Sequence, residues 1–506
     1  MKGAEQNNGG GHHHDGRLRV VMLPWLGFGH VSPFLELGKK LSLRNFEIYI
    51  CSTPATLEPV KKKLAAAASV SFLELTLPSS PELPPQNHTT NSLPPHLMPH
   101  LKEAFEASRP AFAQLLRDIK PDLLIYDFLS PWAPQEAAGL GIPAIQFITM
   151  SSTFTCFKFQ QFSQPGVEFP FPAIRYRDYE LARMAKANAS TPPERREKDE
   201  RSVRDCFSRS CGLVLIKTYD EIEGQYSNFL TTLTGKRIVP VGALVQEPSK
   251  EDGESEVIKW LNGKKEKSTV FVSFGSEYFL TEEDLTEIAH GLYLSYPVNF
   301  VWVLRFPKGG NHDDLKLVLP DGFLERVEGW GLVVEGWAPQ AKILEHPSIG
   351  GFVSHCGWSS VMEGMKYGVP IIAMPMHIDQ PVNAKLAAEV GVAMEVVRDS
   401  SGKHHRCEIA AVIRKVVRGE GGKGVRAKAA AMREMLAEKG DIEIDKVAEE
   451  LRKLCAQNLC RRSQKVFHVK SKITAATNGY KVVLAVSVMA FLIFFLGKTV
   501  KNAWQN

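Results

Sequence analysis

No C-x-x-C pair occurs in the 506-residue chain. Its eight cysteines (Cys51, Cys156, Cys206, Cys211, Cys356, Cys407, Cys455 and Cys460) are scattered. Such spacing fits reduced thiols in the cytosol rather than a disulfide frame or a zinc site. Charge of one sign is scarce too: Lys plus Arg number 61, Asp plus Glu 56, and the net +5 is spread along the chain. Without a basic stripe interleaved with aromatics, no nucleic-acid partner is expected. The start, MKGAEQNNGGGHHHDGRLR, lacks the apolar core of a signal peptide, so residues 1–16 read as a disordered tail.

Long apolar runs are absent but for one. Residues 482–496, VVLAVSVMAFLIFFL, carry no charge, with Lys481 before them and Lys498 and Lys501 after. As a helix this run spans ~22 Å at ~1.5 Å per residue, short of a ~30 Å hydrocarbon core. Flanking lysines snorkel and thinner membranes exist. The basic segment 460–480 ahead of it suits a cytosolic flank. Residues 481–506 are thus a candidate membrane anchor, with a non-inserting appendage as the alternative.

The rest of the chain is long enough for two ordinary domains. From Leu18 onward, short apolar strands alternate with helical patterns. LRVVML, EIYICST, VSFLELTL, DLLIYD and GIPAIQFI form one set; TVFVSFGS, FVWVLRF, GLVVEGW, GGFVSH and PIIAMPM form another. Runs this continuous in Val, Ile, Leu and Phe suit parallel sheets covered on both faces. Pro33 reads as a helix start ahead of the stripe Phe34, Leu37 and Leu41. SSPELPPQNHTTNSLPPH and STPPERREKDERS resist any periodic reading and are expected as surface loops, the first bordering an acceptor cleft. The expected fold class is α/β, with two Rossmann-like βα domains, 17–237 and 257–440, facing across a cleft. A polar linker at 238–256 joins them, and a helical stretch at 441–459 closes the fold.

The residues with chemistry gather at strand ends. LRVVMLPW runs into GFGH, placing His30 beyond the first strand beside Gly27 and Gly29, which allow close approach by a ligand. An imidazole titrates near neutrality and can take a proton from a hydroxyl. Asp127 ends DLLIYD at the same carboxyl edge, where its carboxylate could bond the far ring nitrogen and fix the tautomer. The second set holds one unbroken run from Trp337 to Gln380, WAPQAKILEHPSIGGFVSHCGWSSVMEGMKYGVPIIAMPMHIDQ. Trp337 ends an apolar strand and offers a flat face to a base ring. His355, Gly357, Ser359 and Ser360 lie where a strand turns into a helix, whose N–H groups and dipole favour a phosphate. Glu363, about one turn on, is placed to accept two adjacent ribose hydroxyls. Asp379 and Gln380 follow the next strand, where open α/β sheets gather their ligands.

This run resembles the signature box of plant family 1 UDP-glycosyltransferases. The likeness extends from about Arg17 to about Leu459, and GFGH and IYD match where that family keeps its base and partner Asp. The resemblance implies a GT-B fold and an inverting displacement: His30, oriented by Asp127, deprotonates an acceptor hydroxyl that attacks the anomeric carbon opposite UDP. It implies that Trp337 stacks on uracil, with Ala338 in the same donor site, and that Gln340 lies near the ribose with Glu363. His355, Ser359 and Ser360 would meet the phosphates, and Trp358, Asp379 and Gln380 the sugar. No D-x-D pair occurs anywhere, so the departing diphosphate would rely on the helix terminus from Gly357 to Ser360, with His355 and Ser276. No metal or other cofactor is expected.

The terminal Gln of the box looks like that of UDP-glucose users. LPSSPELPP, YDFLSPWAPQ and FGSEYF resemble the subgroup that adds a sugar to an existing sugar. The implied partners are UDP-glucose and a small-molecule flavonoid, terpenoid or apocarotenoid glycoside. Another UDP-sugar, an aglycone acceptor and a non-catalytic UDP-sugar-binding scaffold are the alternatives. A dinucleotide oxidoreductase is disfavoured, because the first βα turn lacks G-x-G-x-x-G spacing. Two features depart from the family: Ser359 stands where many members carry Asn, and the apolar tail is foreign to it.

Overall fold

The computed structural model describes residues 16–63, 70–91, 93–189, 191–248, 251–275, 278–306 and 315–460. They form two sheets in which every neighbouring pair of strands is parallel. The first comprises β1 (Leu18–Leu23), β2 (Phe46–Ser52), β3 (Val70–Glu74), β4 (Leu123–Asp127), β5 (Ala144–Ile148), β6 (Leu213–Ile216) and β7 (Arg237–Pro240). Its order is β3-β2-β1-β4-β5-β6-β7. The second comprises β8 (Thr269–Ser273), β9 (Asn299–Leu304), β10 (Gly331–Glu335), β11 (Ile349–Ser354), β12 (Ile371–Ala373) and β13 (Ala393–Glu395), in the order β10-β9-β8-β11-β12-β13.

Every residue of β4, β5 and β8 is buried, which is why these strands read as unbroken apolar runs. Both sheets are doubly wound. The strand order reverses between β1 and β4 in the first and between β8 and β11 in the second. At such a reversal the flanking connections leave to opposite faces and open a crevice at the carboxyl ends.

Several sequence expectations change. β6, β7 and β13 are strands that the pattern did not reveal. β7 takes residues 237–240, so the linker begins after Pro240 rather than at 238; proline is tolerated on this edge strand. The segment read as the loop STPPERREKDERS lies mostly in a helix, Pro193–Arg209, opened by proline in its first turn. Only Cys206 and Phe207 of that helix are buried, so it carries no apolar stripe to betray it. The first helix, Phe28–Ser42, starts five residues ahead of Pro33. Pro33 therefore sits in its interior and forgoes the hydrogen bond its N–H would give the Gly29 carbonyl. Among its described residues, the proline-rich stretch at 79–96 holds only the short 3₁₀ turn Pro85–Asn87 and the start of Pro95–Leu97.

By contact density the chain divides into Met1–Glu449 and Glu450–Asn506, and both sheets belong to the first unit. Polar bonds stitch the two sheet lobes together. Lys385 Nζ lies 2.9 Å from Glu180 Oε2, and Arg177 Nη2 donates to Glu395 Oε2 at 2.7 Å. From the first helix, Lys40 reaches Asp441 at 2.5 Å and Arg44 reaches Asp445 at 2.6 Å. Those two carboxylates lie at the beginning of the closing helix, which runs over residues 442–460. Among the described residues no helix is long and apolar enough to cross a membrane. The apolar run 482–496, the basic residues 461–480 and the start of the chain up to residue 15 lie outside the described residues.

Candidate active site

His30 occupies the first turn of the helix Phe28–Ser42, just beyond β1, and Asp127 is the last residue of β4. The two flank the switch point of the first sheet. His30 Nδ1 lies 2.8 Å from Asp127 Oδ2, with the histidine side chain 17% exposed and the carboxylate fully buried. Asp127 Oδ1 accepts the Leu129 backbone N–H at 3.0 Å, which holds the carboxylate in place. Thr149 Oγ1, beyond β5, lies 3.4 Å from the same ring nitrogen. With Nδ1–H directed at the carboxylate, Nε2 becomes the basic nitrogen.

The second sheet builds a different site at its own switch point. β11 turns through His355, Cys356 (φ +63) and Gly357 into the helix Trp358–Tyr367. The His355 ring is wedged between two glycines. A Cβ on Gly275, just past β8, would lie 2.7 Å from His355 Nε2, and one on Gly357 would lie 2.6 Å away. Burial, with His377 nearby, pulls the His355 pKa down to about 3. The ring is therefore neutral at physiological pH and can act as a hydrogen-bonding partner, not a counter-ion. Trp358, Ser359 and Ser360 open the helix, where backbone N–H groups have no intrahelical acceptor and an anion is favoured.

On the same helix, Glu363 accepts a hydrogen bond from Gln340 Nε2, so the pair expected at a ribose is brought together. Burial pushes the Glu363 pKa up, while Gln340, Lys217 and Lys366 pull it down. Trp337, beyond β10, is 54% exposed, while Ala338 after it is buried. Asp379 precedes the helix Gln380–Val390 and accepts from Asn383 Nδ2 at 2.8 Å. Ser276 lies outside the described residues.

Two side chains expected at the sugar are otherwise engaged. The Trp358 indole is buried and its Nε1–H donates to the Lys217 carbonyl at 2.6 Å, leaving the backbone N–H of this residue for a ligand. Gln380 is also buried. Its Oε1 accepts from the Met376 and His377 backbone N–H groups at 2.9 and 3.0 Å, closing the turn after β12. Sequence reasoning missed Lys217, which follows β6 and donates from Nζ to Ser359 Oγ at 2.8 Å. A lysine directly after the apolar run LVLI was the available signal. Among the described residues no group of three or more His, Cys, Asp or Glu side chains is placed to hold a metal ion.

Comparison with known proteins follows this division into two lobes. The glycosyltransferase N-terminal domain model matches residues 17–246, and the model described as UDP-glucoronosyl and UDP-glucosyl transferase matches residues 236–423. UDP-glucosyltransferase 29 of Panax ginseng is 49% identical over 448 residues, covering 87% of this chain and 98% of its own. Beta-D-glucosyl crocetin beta-1,6-glucosyltransferase of Gardenia jasminoides is 47% identical over 444 residues, covering 86% and 99%. Among solved structures, Phytolacca americana UGT2 complexed with UDP-2fluoro-glucose and pterostilbene superposes with a TM-score of 0.68. Its identity is 25%, over 86% of this chain and 99% of that one.

Proposed function

The chain belongs to the family of UDP-glucosyl and UDP-glucuronosyl transferases, and from that premise we propose that it extends the sugar of a small-molecule plant glycoside by inverting transfer from UDP-glucose. The observation that carries the catalytic reading is the 2.8 Å contact between His30 and Asp127 at the switch point of the first sheet. In this reading the first lobe receives the acceptor and the second holds the donor.

His30 Nε2 takes the proton of an acceptor hydroxyl as that oxygen bonds to the anomeric carbon from the face opposite UDP. The bond from this carbon to the diphosphate oxygen breaks, and Asp127 stabilises the imidazolium that forms. General-base assistance of this kind is typically worth ~10²–10⁴ in rate, and alignment of donor and acceptor supplies much of the rest. The N–H groups opening the helix Trp358–Tyr367 receive the charge that develops on UDP. Trp337 stacks on uracil, and Glu363, oriented by Gln340, accepts the ribose hydroxyls.

A glycoside acceptor is supported by the Gardenia jasminoides relative, whose name describes glucosyl transfer to glucosyl crocetin. Purified protein incubated with a panel of aglycones and glycosides and several UDP-sugars tests the whole reading. The expected product is a glycoside heavier by one hexose, formed from UDP-glucose. Transfer only to aglycones, or only from another UDP-sugar, would overturn it. The apolar run 482–496 is proposed to tether this enzyme at the cytosolic face of a membrane; release from membranes by carbonate would rule the tether out.

A further inference from the structure

Lys217 belongs to the first lobe, directly after β6, yet the second lobe holds both its ends. Its carbonyl accepts the Trp358 indole N–H at 2.6 Å, and its Nζ donates to Ser359 Oγ at 2.8 Å. The residue is 1% exposed. An ammonium in such a place is costly unless charge and hydrogen bonds compensate it. Two carboxylates face it: Glu363 from the helix Trp358–Tyr367 and Glu36 from the helix Phe28–Ser42. Each is already engaged, Glu363 by Gln340 and Glu36 by Lys39 at 2.8 Å, and Lys366 lies near Glu363 as well.

We infer that Lys217 is a positioning residue for the donor diphosphate: its bond to Ser359 Oγ turns the hydroxyl proton of Ser359 outward, and its charge reinforces the helix start that receives the phosphates. This rests on the UDP-sugar reading of the site. A serine hydroxyl has one proton and two lone pairs, so an ammonium on its oxygen commits a lone pair and leaves the proton for another acceptor. Ser359 is the second residue of the helix, within the turn where the dipole favours an anion. The lysine thus equips the short Ser359 hydroxyl to donate to a phosphate.

Burial draws the Lys217 pKa down to about 8, against the pull of Glu363 and Glu36. The ammonium is therefore present at neutral pH and is lost as pH rises above that value. A phosphate, by contrast, completes its ionisation near pH ~6.

Calorimetric titration of the full-length protein with UDP and with uridine tests the inference without any acceptor. At neutral pH, Lys217→Met is expected to bind UDP roughly 10- to 100-fold more weakly while uridine affinity is unchanged. Lys217→Arg, which restores the charge, is expected to recover part of the loss. Wild-type affinity for UDP, but not for uridine, is expected to fall as pH rises from neutral through the lysine pKa, and Lys217→Met to lack that slope. Equal UDP affinity in wild type and Lys217→Met overturns the inference, as does an equal loss for uridine, which marks a packing role. If the variant does not fold, the wild-type difference between UDP and uridine across pH decides alone. Failure of the wild type to bind UDP at all would instead remove the donor reading itself.

Discussion

Ser151 Oγ donates to Asn383 Oδ1 at 2.7 Å, and this bond joins the His30 lobe to the lobe of the second sheet. Two residues before Ser151, Thr149 touches the His30 ring at 3.4 Å. Asn383 passes the contact on: its Nδ2 donates to the Cys356 carbonyl at 3.0 Å and to Asp379 Oδ2 at 2.8 Å. His30 and the turn after β11 are thereby linked through Thr149, Ser151 and Asn383.

Ser151 also caps the helix Ser152–Ser163, accepting from the Phe154 N–H at 3.1 Å. Ser151→Ala removes that cap and takes a donor from a fully buried Asn383 oxygen. A loss of about 2 kcal/mol is expected, read as a lower denaturant midpoint at unchanged slope.

Trp337 is more than half exposed, and the proposed donor reading puts its ring against uracil. Trp337→Ala is expected to weaken UDP binding about tenfold, with Trp337→Phe intermediate, and to leave thermal stability unchanged. A large drop in melting temperature would show instead that the ring supports the core.

Gly275 and Gly357 press on His355 from two sides, and Gly275 sits at φ +80 besides. Alanine at either position must push the imidazole away, and at Gly275 it is strained as well. Both variants are expected to lose UDP affinity at least tenfold, while the KM for the acceptor changes little. Calorimetry with UDP and acceptor titrations at saturating donor check this separation.

His355 titrates near pH 3 in the fold against 6.5 as the ordinary value. Between these limits the unfolded chain binds a proton that the native one does not, so stability rises with pH across the window. This stabilisation is complete above 6.5 and is lost as pH falls toward 3. His355→Gln, which cannot titrate, is expected to show a flatter rise in denaturant melts over that range. Identical slopes would mean that the ring does not feel its burial.

The strands that line both switch points were legible because full burial writes itself as unbroken Val, Ile, Leu and Phe. β6, β7 and β13 were not: they span four, four and three residues, and a charged residue within or beside each stops the apolar run, unlike the sequence around β12. The helix Pro193–Arg209 escaped because its charged surface carries no apolar stripe. The sequence put His30 and Asp127 at one carboxyl edge, and the folded chain supplies their contact. Lys217 could not be read that way, because its partner Ser359 lies 142 residues on, in the other sheet. The box likewise supplied residue types without their hydrogen-bond commitments. Trp358 and Gln380 face inward, and only the folded chain shows that Lys217 and the turn after β12 already claim them.

The most direct measurement compares wild type and His30→Ala for glucose transfer to a glycoside, with UDP affinity determined on the same preparations. The account predicts a fall in kcat of about 10²- to 10⁴-fold with UDP affinity intact. Transfer by the variant at the wild-type rate would contradict it.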